Sequence, residues 1–416
     1  MKLEILAVTV LLSFVLGVAQ APAQAAEGSA AGSTDDVGNL LTGGKLDLSF
    51  RYRYEFVDQE SFDEDADAST LRTRLTLQSG EYRDFDFLIE FDDVREVIWD
   101  DFNAGAGNTP SRTEYPVVAD PKGTELNQGY VDYNGIDDAY LRLGRQRINF
   151  DNQRFVGGVG WRQQEQTFDA VLGNWSTEHF QASVVYVDAV RRIFGEKVSA
   201  GKDEQDGTYF INAGGDTPFG RLVGYYYHFD SEDRPGFSSG SVGARFTGSQ
   251  GVNDDLKIRY ALEFASQKDV SNNPADISAE YWLIDVGAVF GIYDIGLGWE
   301  VLSGDDSSIL NEAFQTPLAT GHAFNGWADV FLTTPAAGLD DRYLKFKATP
   351  GDFLIDARYH DFDAESGSAS FGSEIDVQFG YKFNGRFRGD LFFADFSGKS
   401  GIDDVTKFWL MATLTL

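Results

Sequence analysis

The chain has 416 residues, 42% hydrophobic and 14% aromatic, with 45 Gly and no Cys. A formal net charge of −32 would repel a polyanion and excludes nucleic acid as a partner. The apolar and aromatic content excludes intrinsic disorder, and the missing cysteines exclude a disulfide framework.

The chain opens with a positive Lys2 and an apolar run from Leu3 to Val18, broken only by Glu4, Thr9 and Ser13. Two small-x-small sites follow, Ala19-Gln20-Ala21 and Ala23-Gln24-Ala25. Residues 1–25 therefore read as a secretory signal peptide cut at the second site, the alternative being an N-terminal anchor. Residues 26–44, rich in Gly, Ser and Ala, predict a flexible segment. No later run reaches the ~18 apolar residues that a membrane helix needs. The remaining chain is then either soluble or crosses a membrane as strands.

From Lys45 the period is two. In Leu46-Asp47-Leu48-Ser49-Phe50-Arg51-Tyr52-Arg53-Tyr54-Glu55-Phe56 apolar and polar residues alternate, and 71–78, 256–264 and 375–383 repeat the pattern. Many of these runs reach roughly ten residues, the length of a tilted membrane-spanning strand. In lipid every backbone polar group must be paired, so such strands must close on themselves. Short turns near 79–84, 134–137, 177–179, 217–220, 292–294, 350–352 and 384–386 alternate with long polar loops. The long ones lie near 58–69, 97–126, 149–164, 191–206, 230–238, 305–340 and 364–371. This predicts an all-β, antiparallel transmembrane barrel over residues 45–416, with about eighteen strands, short periplasmic turns and long extracellular loops. The address is the outer membrane of a Gram-negative bacterium. The alternation runs to Leu416, as when a last strand pairs with the first.

The stretch from Leu141 to Val171 reads as two strands joined by a polar loop rich in Arg, Gln, Asn and Gly. Arg145, Arg147, Arg154 and Arg162 either line a path for something anionic or pair with neighbouring acids and brace a wall. The loop at 305–340 is too long to be idle in a compact barrel. It carries Phe314, Phe324, Trp327, Val330, Phe331 and Leu332, and is expected to fold back as a constriction bearing Phe314, Trp327 and Asp329. The alternative is packing over neighbouring loops outside.

If the fatty faces meet lipid, Arg51, Arg53, Arg72, Arg74, Arg142, Lys257, Arg259, Lys345, Lys347, Arg358, Lys382 and Arg388 face the lumen. Arg51 and Arg53 lie one hairpin away from Arg72 and Arg74, and like charges that close repel unless an anion lies between them. Inward acids (Glu55, Glu90, Asp92, Glu263 and others) imply that part of this array is cross-strand pairing. Inward Arg and Lys favour anions, so reversing Arg72 and Arg74 to Glu is expected to lower anion preference without unfolding the barrel. The acids crowd the long loops, as in Asp58, Glu60, Asp63, Glu64, Asp65 and Asp67. They form a solvated face, or bridge divalent cations to lipopolysaccharide, or hold loose Ca²⁺; no loop has a calcium-motif spacing. No dedicated cofactor is expected. Scattered His179, His228, His322 and His360, and the absence of a nucleophile elbow or phosphate loop, argue against an enzyme.

Leu143-Gly144-Arg145-Gln146-Arg147, Gly160-Trp161-Arg162-Gln163-Gln164 and Gln166-Thr167-Phe168-Asp169-Ala170-Val171 resemble the signature of alginate-export-type outer-membrane channels. Phe314-Gln315-Thr316-Pro317-Leu318-Ala319-Thr320 and Gly326-Trp327-Ala328-Asp329 resemble it more loosely. The resemblance implies an 18-stranded barrel with an arginine-rich lumen that passes a polyuronate, one carboxylate per sugar. The alternatives are an uptake porin for small carboxylates or sugars and a non-conducting, loop-displaying barrel. About eighteen strands enclose a pore without partners, so a monomer in outer-membrane lipid and lipopolysaccharide is expected.

Overall fold

A computed structural model describes residues 37–416; the expected signal peptide (residues 1–25) and residues 26–36 lie outside the described residues. The strands are β1 (Lys45–Gln59), β2 (Ala66–Gln78), β3 (Phe85–Asp101), β4 (Gly123–Ile136), β5 (Ala139–Gln146) and β6 (Thr167–Ser176). Next come β7 (Phe180–Arg191), β8 (Lys202–Thr217), β9 (Gly220–Phe229), β10 (Ser239–Gly251), β11 (Leu256–Asp269) and β12 (Ser278–Phe290). The last are β13 (Tyr293–Leu302), β14 (Leu339–Ala348), β15 (Phe353–Asp363), β16 (Ser370–Lys382), β17 (Phe387–Gly398) and β18 (Val405–Thr415). Each pairs antiparallel with its sequence neighbours, and β1 pairs with β18 from Ser49↔Thr415 to Gln59↔Val405. The sheet is therefore a closed barrel of eighteen strands with no free edge, which leaves no unpaired edge backbone for lipid to face.

The two faces separate as the period predicts. Leu143, Val184 and Leu297 on the outside are 64%, 56% and 66% exposed, whereas Arg53, Glu55 and Val57 on the inside are 1%, 0% and 1%. The outer belt is apolar because its solvent is lipid. The inside is buried because loops fill it. Among the described residues no helix is long and apolar enough to cross a membrane.

Three connections escape the sequence pattern: the short turn at 252–255 and the loops at 270–277 and 399–404. Asn253 closes that turn by accepting the backbone N–H groups of Asp255 and Leu256 at 3.0 Å, an Asx turn that looks like any other polar run. The described end of the segment expected to be flexible forms a helical turn, α1 (Asn39–Thr42). It is tied to the β2–β3 turn, with Gly80 N–H donating to Leu40 O at 3.0 Å and Asn39 Nδ2 donating to Glu81 O at 2.7 Å.

Candidate functional site

Two loops make the site. The β5–β6 loop (147–166) turns into the lumen and crosses it. On one wall, Arg51 of β1 donates Nε to Gln163 Oε1 at 2.9 Å and Nη1 to Gly160 O at 2.8 Å, and it also reaches Arg162 O. Gln163, fully buried, returns Nε2 to Thr70 Oγ1 at 2.9 Å, and its backbone N–H donates to Asp120 at 2.7 Å. On the opposite wall the ring of Phe155 sits 5.2 Å from both Tyr225 of β9 and Tyr281 of β12. Arg154, 3% exposed, donates Nε to Glu300 of β13 at 2.7 Å. Fully burying an aromatic such as Phe155 is worth about 1.5–3 kcal/mol, which offsets the entropy of ordering a loop across a wet lumen.

Arg51 and Arg72 stand directly opposite each other on β1 and β2. The anion that relieves them comes from the loop: Glu165 lies 3.0 Å from Arg74, 3.7 Å from Arg72 and in contact with Arg147. Burial raises the Glu165 pKa, but Arg74, Arg147 and Arg72 outweigh burial and bring it down to about 2.

The β13–β14 loop (303–338) folds back beside it, as its apolar content predicts. The two loops are knitted by backbone, with Gly157 N–H to Leu318 O at 2.9 Å and Thr320 N–H to Gln153 O at 3.0 Å. Phe314, fully buried, packs 5.8 Å from Phe155. Asp329 ties loop to wall, 3.2 Å from Arg162 and 3.3 Å from Lys407 of β18. Burial raises the Asp329 pKa; His322, Lys407 and Arg162 overcome it and hold the group well below the carboxylate range. For Arg162 burial works downward, and Glu55, Asp120 and Asp329 more than reverse it. His322 Nδ1 is 2.8 Å from Asp329, yet burial keeps the imidazole pKa below its usual value.

At the centre the Trp161 and His322 rings stack with centroids 3.8 Å apart. The Arg53 guanidinium lies 4.3 Å over the indole, a cation–π contact. This stack borders two cavities. The one towards the short turns has a volume of about 760 Å³ and presents Arg51, Arg358, Lys382, Arg386 and Arg388 against a single carboxylate, Asp390. The Trp161, Trp327 and Phe392 rings form its inner wall. The one towards the long loops, about 190 Å³, takes in Arg162, Arg192 and Arg234. A chain of net charge −32 thus gathers basic side chains in both cavities that border the Trp161–His322 stack.

The expected lumen residues divide into groups. Arg51, Arg53, Arg72, Arg74, Arg147 and Arg162 gather around the β5–β6 loop, and Arg154 anchors its far side. Arg142 with Asp132, Arg259 with Asp285 and Asp294, and Lys345 with Asp285 form wall pairs. Arg358 covers Trp327 at 4.8 Å in the larger cavity. Lys257 and Lys347 face inward near the short turns, on the same strand faces as Arg259 and Lys345; neither has an ion-pair partner among the described residues.

Arg145 is a correction. It lies opposite Asp169 on the strand face shared by Leu143 and Val171, which is the outer face. There it forms a rim cluster with Asp169, Arg191 and Glu196. Arg145→Gln should therefore leave the reversal potential in a salt gradient unchanged; a shift towards cations would return it to the pathway.

Sequence reasoning passed over Glu165, Gln163, Trp161 and His322 as site residues, although Glu165 directly follows the Gly160–Gln164 motif. Arg192 and Arg234 carried no signal at all. No three His, Cys, Asp or Glu side chains converge to hold a metal ion among the described residues, the acidic loops included.

A closed eighteen-stranded barrel, apolar outside and narrowed inside by its own loops, defines an outer-membrane porin, a channel of the Gram-negative envelope. The chain belongs to the alginate export family, whose sequence model, described as "Alginate export", matches residues 44–330. No curated protein sequence matches it. Among solved structures it is similar to OccAB2 of Acinetobacter baumannii, with TM-score 0.72 and 16% identity over 91% of this chain and 99% of that one. It is similar also to OpdK of Pseudomonas aeruginosa, with TM-score 0.69 and 16% identity over 91% and 99%. The OpdK structure with vanillate gives TM-score 0.67 and 14% identity over 91% and 99%. At these identities the likeness is one of fold.

Proposed function

We propose that the barrel is a passive, anion-preferring channel for small organic carboxylates. One observation carries this reading: five cationic side chains and a single carboxylate, Asp390, line the larger cavity beside the Trp161, Trp327 and Phe392 rings, with Arg358 also paired to Asp356 behind the lining. Lys382 and Arg386 have no ion-pair partner among the described residues, so their charge is free to meet a solute. Carboxylates exchange quickly along such contacts when each is weak enough to release. The aromatic wall suits an anion with an apolar or ring-shaped body. That OpdK was crystallised with vanillate, an aromatic carboxylate, agrees in chemistry.

The family's description favours a second reading, passage of a polyuronate such as alginate. The two readings share carboxylate chemistry and differ in size: a polymer must thread past Trp161 and His322, whereas a small acid needs only transient space. The absence of a catalytic constellation in the sequence supports transport rather than turnover. A monomer in lipid is sufficient for either reading.

The test is single-channel recording of refolded protein in a planar bilayer under a salt gradient. Reversal potential is read first, and then vanillate and short oligouronates are added. Anion-selective current blocked by the small acid supports the proposal; block by oligouronates alone favours the polymer. Cation selectivity sinks both. The double variant Lys382→Gln, Arg386→Gln is expected to reduce the anion-to-cation permeability ratio about two- to threefold, because exposed charges at a mouth act through a screened field.

A further inference from the structure

The smaller cavity contains a charge that the protein leaves unanswered. Arg162 is matched there by Asp329 and Glu55. Arg234 is matched by Asp203, which accepts its Nε at 2.9 Å. Arg192, the first residue after β7, has no such match. Its Nη1 is buried without a hydrogen-bond partner, and no carboxylate stands within ion-pair distance of its side chain among the described residues. Its backbone alone is engaged, donating to Gly201 O at 2.9 Å. Burial and the neighbouring Arg234 lower its pKa to about 10, with Asp203 opposing, so it remains charged at neutral pH. Arg192 as a whole is half-buried; a guanidinium with one nitrogen shut off from water and no counter-charge is costly, and its planar fork fits a carboxylate in bidentate fashion.

The surroundings narrow the class of ligand. Asp203 answers Arg234 alone, which leaves the Arg192 guanidinium as one surplus positive charge, suited to a monoanion rather than a dianion. Ile193, Phe237, Pro317 and Leu332 supply apolar wall, and at ~30 Å³ per water the cavity of about 190 Å³ has room for a small organic body.

The geometry points to Arg192 as the centre of a binding site for a monocarboxylate with an apolar body, on the extracellular side of the Trp161–His322 stack. This deepens the anion-channel reading and rests on it for its physiological meaning. The site would load solute before the constriction, and the larger cavity would receive it beyond.

Binding is tested apart from conduction. The full barrel, refolded in detergent, is titrated calorimetrically with benzoate, with benzyl alcohol as a neutral isostere and with inorganic phosphate. Wild type should prefer benzoate over both. Arg192→Gln should weaken benzoate at least tenfold and leave benzyl alcohol unchanged, and Arg192→Lys should fall between. Equal benzoate affinity in wild type and R192Q, or phosphate binding as tight as benzoate, overturns the site. Because Arg192 has no partner to strand, R192Q should not lower the Tm of the ligand-free barrel. A fall in Tm or failure to fold would assign Arg192 a structural role and overturn the proposal equally. In the Lys382→Gln, Arg386→Gln variant the Arg192-dependent part of benzoate binding should persist. If Arg192-dependent binding persists in a barrel that lacks anion selectivity, the channel reading fails and the binding site stands.

Discussion

Removing residues 305–337 and joining Gly304 to Gly338 is expected to raise single-channel conductance several-fold. The junction is geometrically ready: a Cβ built on Gly304 would fall 2.1 Å from Gly338 N, so the two glycines already touch and a two- or three-residue turn closes the gap. The excised segment carries the groups that narrow the lumen, namely Phe314, His322, Trp327 and Asp329. It also carries Thr316 and Asn325, which hold the Arg154 guanidinium. Without it the β5–β6 loop keeps its Arg51 and Arg72 wall but loses the backbone bonds at Gly157 and Gln153. The passage should widen without becoming an empty barrel, because Phe155 still packs on Tyr225 and Tyr281. The barrel itself should survive, since no strand pairing of the eighteen-strand ladder includes this loop. Unchanged conductance in a folded deletion variant would show that the passage does not run beside this loop.

How much of this was legible in the sequence follows from the range of the forces involved. The barrel was legible because a two-residue period is local: Leu46 to Phe56 shows both faces of β1 within eleven consecutive residues. The inward fold of the 305–340 loop was legible because Phe314, Trp327 and Phe331 make poor surface. Even the outward facing of Arg145 was present in the alternation with Leu141 and Leu143, and was overridden by the pull of an arginine-rich motif. What escaped was long-range pairing. Arg51 and Arg72 look like an open anionic path until Gln163 and Glu165, about a hundred residues away, fill the space between them. Arg192 was invisible for the opposite reason: what marks it is a missing partner, and no local pattern encodes that.

Glu165 is where those pairings can be broken with one atom. Glu165→Gln should release the β5–β6 loop from the Arg72, Arg74 and Arg147 wall, at a cost of about 3–5 kcal/mol for stripping one member from a buried ion-pair set. Tm should fall, and anion selectivity should rise because three arginines are left without their shared carboxylate. The same reasoning revises the charge-reversal expectation. Arg74 is chelated by Asp92 at 2.6 Å and Glu165 at 3.0 Å, so Arg72→Glu with Arg74→Glu would crowd carboxylates together and destabilise the barrel rather than merely retune it. Acid offers an independent check. The Glu165 pKa is depressed in the folded state, from 4.5 to about 2. Its stabilisation is therefore complete above about pH 4.5 and is lost as pH falls towards 2, a difference of about 3 kcal/mol. Wild-type conductance should hold steady from pH 7 to about 4.5, then rise and grow noisy as the loop loosens. E165Q should already be noisy at pH 7 and show no such step in that window. A step of equal size in both proteins would mean that other acids, such as Asp329 with its own depressed pKa, hold the loop, and that the arginine wall is braced without Glu165.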